Sequence, residues 1–147
     1  MNLEACHMCG GALEVRHPAH QEKIGRHVTV DHGVPWLVCT ACGESTISDE
    51  AWKSAELRAA LTVLHDVPHV EGAVLRAVRK ILGLTQKELG AVLELDHATI
   101  SRSEASTSNI PRMTQLALAT LVERAQRGEP LEVPAEPVEG AVLEVAS

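Results

Sequence analysis

Apolar and polar residues alternate with two different periods along this chain, and the change of period divides it. Near the start, "ALEVR" at Ala12–Arg16 and "RHVTV" at Arg26–Val30 alternate apolar with polar, as half-buried strands do. From Ser48 the period lengthens. Leu57, Leu61 and Leu64 recur at helical spacing, Ser48 stands as an N-cap, and Asp49 and Glu50 fall in the first turn, where acidic groups are favourable. Pro68 ends that helix, and Asp66–His69 reads as a linker between two units free to reorient. Val74, Val78, Ile81 and Leu82 form the stripe of a second helix, closed by Gly83 as a C′ residue. Thr85-Gln-Lys-Glu88 is a capping box that opens a third helix, whose buried face is Leu89, Val92 and Leu93. After the short turn "ELD", Asp96 caps a fourth helix with Ile100 turned inward. A final helix starts near Pro111, ends before Gly128, and carries the stripe Met113, Leu116, Ala117, Thr120, Leu121 and Arg124. That stripe has two expected tasks, closing the core and forming a homodimer seam.

The expected fold class is α+β, a small β-containing N-terminal module followed by an all-α C-terminal domain. The expected units are residues 1–67, residues 68–128, and an acidic tail over 129–147, extended or disordered. With 147 residues, one ordinary domain or two small ones can form. Two Trp and no Phe or Tyr leave Leu, Val, Ile and Ala to build the core. No apolar run approaches the roughly 20 residues of a membrane span, and "MNLEACHMCGG" has neither a basic nor an apolar signal region, so the expected location is the cytoplasm. The net charge of −7 is unevenly distributed. Five Glu and no Lys or Arg follow from Glu129 onward, whereas His69–Gly128 holds eight Lys/Arg against six Asp/Glu. The global balance therefore does not exclude a nucleic-acid partner.

Candidate chemistry begins with cysteine. "CHMCGG" at Cys6–Gly11 is answered by "LVCTACGE" at Leu37–Glu44, and the chain has no other Cys. Two Cys-x-x-Cys-Gly knuckles close a tetrahedral S4 shell from Cys6, Cys9, Cys39 and Cys42, which suits one structural Zn²⁺ per chain. Gly10 and Gly43 should turn back with positive φ and donate their amides to thiolate. A rubredoxin-like iron site would use the same four sulfurs. A thioredoxin-like redox pair leaves the second knuckle unexplained. A zinc deaminase fails because Val38 stands where Pro is needed before Cys39. His7 is expected to face solvent, and His17, His20, His27, His32, His65 and His69 follow no ligand spacing and are expected at the surface. No open metal site, nucleophile–base pair or phosphate-cradling loop is evident, so no enzyme is expected.

The third and fourth helices make a helix-turn-helix, whose second helix would enter a major groove. The string "LGLTQKELGAVLELDHATISRSE" resembles the Cro/phage-repressor type of this motif. Together with "CHMCGG…GVPWLVCTACGE" it resembles the MqsA-type antitoxins, a YgiT-type zinc module joined to a DNA-binding domain, over roughly Cys6 to Arg127. The resemblance implies that the four Cys bind zinc and that the N-terminal module holds an RNase toxin. It further implies that the C-terminal domain forms a homodimer on a palindromic double-stranded operator and represses its own operon. His97, Ala98, Thr99, Ser101 and Arg102 occupy recognition-helix positions, with Arg102 suited to guanine or phosphate; Gln86 and Lys87 would meet backbone phosphate. The alternative for Arg102 is a pair with Glu104 or another carboxylate, and for Thr99 and Ser101 it is plain helix surface. Ala98 replaces the family's DNA-reading Asn, and "SRSEASTS" loses an aromatic and a basic residue. The alternative is a free-standing zinc-containing regulator without a toxin. Trp36 and Trp52 serve either a small core or a partner, and "GVPWLV" at Gly33–Val38 is expected as an edge strand.

Overall fold

The computed structural model describes residues 4–134. Its strands are β1 (Leu13–Arg16), β2 (His20–Ile24), β3 (His27–Asp31), β4 (Trp36–Cys39) and β5 (Ser45–Thr46). Its helices are α1 (Asp49–Asp66), α2 (Gly72–Ile81), α3 (Gln86–Leu93), α4 (His97–Ala105) and α5 (Arg112–Gln126). The fold is α+β: two small antiparallel sheets precede five helices. One sheet runs β1-β4-β5 and the other is the hairpin β2-β3. β4 is thus the central strand of its sheet, flanked on both sides, and not the edge that "GVPWLV" suggested. Leu13 faces Cys39 and Val15 faces Leu37 on one side, while Leu37 faces Thr46 on the other.

β2 is the element the pattern did not reveal. In "HQEKI" only Ile24 is apolar, yet His20, Glu22 and Ile24 alternate inward while Gln21 and Lys23 face solvent. The period is present, but polar residues carry it.

A single apolar core joins the hairpin to the helices. Ile24 is buried together with Leu57, Ala60, Val63 and Leu64 of α1, Val74, Leu75 and Val78 of α2, Leu89 of α3, Ile100 of α4, and Leu118 and Val122 of α5. Each fully buried Leu or Ile here contributes about 2 kcal/mol of transfer free energy. α1 packs on α5, and its other contacts run to β2, β3 and α2. Ser48 caps it as expected, accepting from the Ala51 N–H at 3.1 Å.

The connector between α1 and α2, expected as a flexible link, is tied down. Gln115 of α5 is fully buried and its Nε2 donates to the carbonyls of Leu64 (2.9 Å) and Val67 (2.8 Å). These belong to the last turn and C-cap of α1, where carbonyls lack intrahelical partners. Arg112 Nη1 donates to the Pro68 carbonyl at 2.8 Å, and the Ile110 N–H to the Val70 carbonyl at 2.8 Å.

α2 and α4 approach closely because Gly72 has no side chain. A Cβ there would lie 1.9 Å from the Ser103 carbonyl oxygen, which no structure tolerates. The start of the acidic tail also folds back. Glu129 pairs with Arg124 and Arg127, and Leu131 packs partly against the core. The rest of the expected tail, residues 135–147, lies outside the described residues. No described helix is long and apolar enough to cross a membrane.

Candidate metal centre and the exposed face of α4

The two knuckles meet as the spacing required. Cys6 Sγ lies 3.7 Å from Cys42 Sγ, Cys9 Sγ lies 3.5 Å from Cys39 Sγ, and all four sulfurs fall within 4.8 Å of one another. A tetrahedral ion with metal–sulfur bonds of about 2.3 Å has sulfur–sulfur edges of about 3.8 Å. None of the four is in a disulfide, and one Cys of each knuckle, Cys6 and Cys39, is buried. These four residues could hold a metal ion.

The backbone builds each knuckle slightly differently from expectation. Gly10 and Gly43 do take positive φ, at 74° and 78°. Their N–H groups, however, donate to the carbonyls of Cys6 (2.8 Å) and Cys39 (3.0 Å), not to sulfur. The turn uses those amides, and the sulfurs instead receive the next N–H groups: Gly11 on Cys9 (3.4 Å), Ala41 on Cys39 (3.4 Å) and Cys42 on Cys39 (3.5 Å). The Cys42 and Ala41 amides pull the Cys39 thiol down to about 6. The Glu44 amide also lowers Cys42, but hydrogen bonds from its own S–H to the Cys9, Cys39 and Cys6 sulfurs, with burial, outweigh it and push that thiol up to about 12.

His20, expected at the surface, instead lies in a cluster with the two Trp rings. His20 is only 7% exposed. Its Nε2 is 2.8 Å from Glu22 Oε1, and its ring meets Trp52 edge-on at 5.4 Å and Trp36 at 6.1 Å between centroids. The inward phase of β2 buries it, because Glu22 satisfies its polar edge. His27 is likewise half-buried: its Nε2 is 3.3 Å from Glu71 Oε2, which joins the hairpin tip to the N-cap of α2. Of the two indoles, Trp36 is half-buried, whereas Trp52 keeps 42% exposure.

The residues assigned to DNA lie on α3 and α4. Thr85 and Glu88 form the full capping box, at 3.1 and 3.0 Å. The Thr85 amide is the main cause holding the Glu88 carboxyl below its usual range. The Leu95 N–H donates to the Gly90 carbonyl at 2.8 Å, and Glu94 turns the chain with a left-handed φ of 55°. Asp96 begins α4 without a side-chain cap; its carbonyl takes the Thr99 and Ile100 N–H groups instead.

A polar network fixes α4 on α2. Arg79 forks onto Glu104, with Nη2 to Oε2 at 3.2 Å and Nε on Oε1, and its Nη1 reaches the Leu84 carbonyl at 2.9 Å. Gln86 Nε2 donates to Glu104 Oε2 at 2.7 Å. Burial would raise the Glu104 carboxyl, but Arg79 and Gln86 outweigh it and hold it low. Glu104 therefore serves Arg79, not Arg102, and the Gln86 amide is engaged inside the fold. His97, Ala98 and Arg102 are exposed on one side of α4, with Thr99 and Ser101 half-buried. Arg102 Nη2 lies 3.5 Å from Thr99 Oγ1. Along α5, Met113 (79%) and Leu116 (45%) stand in solvent, while Leu121 of the same expected stripe is in the core.

Sequence reasoning missed the Arg79–Glu104–Gln86 network, Gln115 and the His20 cluster, since none follows an apolar period. No family model matches the chain, and no curated protein matches it.

Proposed function

We propose that this protein is a zinc-containing, DNA-binding regulator of the antitoxin kind, acting as a homodimer on a palindromic operator. The observation that carries the reading is the mounting of α4. Its inner side is anchored by Ile100, Gly72 and the Arg79–Glu104 fork, so His97, Ala98 and Arg102 are presented outward on a rigid element. Rigid display of a few side chains on one helix is what major-groove reading needs. Arg102 would fork onto guanine or clamp phosphate, and Lys87 would sit by the backbone. Gln86 would act by holding Glu104, a change from its expected phosphate contact. Zn²⁺ is the ion proposed for the four thiolates, as a closed structural site without an open position for catalysis. The exposed Met113 and Leu116, with Thr120, would form the dimer seam.

The N-terminal module would hold an RNase toxin. A second reading, a free-standing regulator, gains from one observation: Ile24 and the His27–Glu71 pair give the cysteine-bearing half a structural task in the helical core. The discriminating experiment uses the full chain, because α1 supplies core residues to the helices that follow it. Co-expression with the adjacent open reading frame, scored by growth and co-purification, should show a growth-arresting protein that this chain binds and neutralises. A neighbour that neither arrests growth nor co-purifies would leave the free-standing regulator.

A further inference from the structure

The hairpin β2-β3 has an unguarded edge. Val28 and Val30 of β3 are 59% and 52% exposed, and no described strand pairs with the outer side of β3. Exposed edges are usually protected by charge, proline or a covering segment. β1 shows such protection: it carries Glu14 and Arg16, and Ala5 bridges to Ala12 at its start. β3 offers only valine and threonine at its middle.

Backbone phase decides what this edge can accept. Gly25 (φ 62°) and Arg26 form a two-residue loop closed by Ile24 and His27. The closing pair of such a loop is hydrogen-bonded, and alternation extends this to Glu22/Thr29 and His20/Asp31. Val28 and Val30 consequently aim their N–H and C=O groups outward. The strand reads His27-Val28-Thr29-Val30-Asp31 and is complementary to itself when reversed about Thr29. Val28 then faces Val30 of a second copy in a hydrogen-bonded pair, Thr29 faces Thr29, and His27 faces Asp31. Apolar and Thr–Thr pairs are favourable across strands, while at the two ends His27 is held by Glu71 and Asp31 by Arg58 within each copy. Beside the edge runs a groove of about 380 Å³, lined on the α1 side by Arg58, Ala59 and Thr62.

We propose that the outer edge of β3 is a self-association surface, at which two copies join antiparallel about Thr29 into a continuous four-stranded sheet. This interface is isologous and separate from the α5 seam, so a chain using both assembles beyond the dimer. The occupant is a second copy because the reversed strand sets Val28 against Val30 and Thr29 against Thr29; a strand from another protein is the competing outcome.

The test is sedimentation of the full chain carrying Leu116→Glu, which charges the α5 seam, over a wide concentration range. The mass should rise reversibly towards twofold, and adding Val28→Lys and Val30→Lys should abolish the rise while circular dichroism stays unchanged. Amide exchange in the unmutated chain gives a readout independent of these variants. Val28 and Val30 N–H groups should become several-fold slower with concentration, whereas Thr29 stays slow throughout. A mass that never rises, an association indifferent to the lysines, or Val28 and Val30 amides that slow only when the neighbouring gene product is added would each overturn the proposal.

Discussion

The cysteine-bearing strands and the helices that follow are held together by different physics. Around the knuckles, burial is sparse: Cys6, Val34 and Cys39 are inside, while Glu14, Val15 and Arg16 of β1 are all exposed. Three short strands with so little apolar cover do not form a stable sheet in water. A metal ion shared by the four sulfurs, as proposed, would supply what packing does not. The helical part shows the reverse. Leu64, Leu75, Leu89, Ile100, Leu118 and Val122 are essentially fully buried in one cluster, and its polar groups are tied by Gln115 and the Arg79–Glu104 fork. With the proposed zinc in place, one region would depend on an ion and the other on excluded water.

On the proposed zinc site, the largest effect should come from removing the metal. Structural zinc sites contribute about 10 kcal/mol or more of apparent folding free energy at neutral pH. Chelation, or Cys39→Ser, should unfold β1, β4 and β5 while leaving α1–α5 folded. Amide exchange on the full chain reads the two regions separately, and equal loss of protection in both would break the comparison. α1 is expected to persist because it packs on α5, α2 and the β2-β3 hairpin.

Next in size is Glu104→Ala. Its carboxylate is 5% exposed beside Arg79 at 13%, and removing one member of a buried pair costs about 3–5 kcal/mol. The sign with pH follows from the lowered carboxyl. Its contribution is complete above the ordinary carboxylate range near pH 4.3 and is lost as pH falls through the lower folded value. Urea denaturation should thus show a large penalty for the variant at neutral pH that shrinks in acid.

Leu64→Ala should cost about 2–5 kcal/mol as a core truncation. Val15→Ala, at a residue 58% exposed, should cost no more than about 0.5 kcal/mol. Similar costs at the two sites would mean that the strands pack more tightly than their exposure indicates.

Opposite in sign is Glu94→Gly. A non-glycine residue at φ 55° is strained, and relieving it should raise stability by up to about 1 kcal/mol, measured as a higher Tm.

Legibility in the sequence followed the same division. Helix bounds, the Ser48 cap, the Thr85–Glu88 box and the meeting of four cysteines could be read because each rests on local spacing. β2 escaped because His20 and Glu22 occupy inward positions usually held by apolar residues, and they satisfy each other. Gln115 escaped for a related reason. It lies on the buried face of α5, and its value comes from carbonyls of α1 that are distant in sequence. Glu94 was read only as part of a turn, since no spacing rule marks a strained φ. Whether α4 meets DNA is a further question, which depends on a partner.

That question has a direct measurement. Fluorescence anisotropy would follow the unmutated full chain and Arg102→Ala binding duplex DNA from upstream of its own reading frame, at several salt concentrations. The account predicts specific binding that weakens steeply with salt, and a loss of about 1–3 kcal/mol per contact for Arg102→Ala. Equal affinity for that duplex and for unrelated DNA, or unchanged binding by Arg102→Ala, would contradict a DNA-reading role for α4.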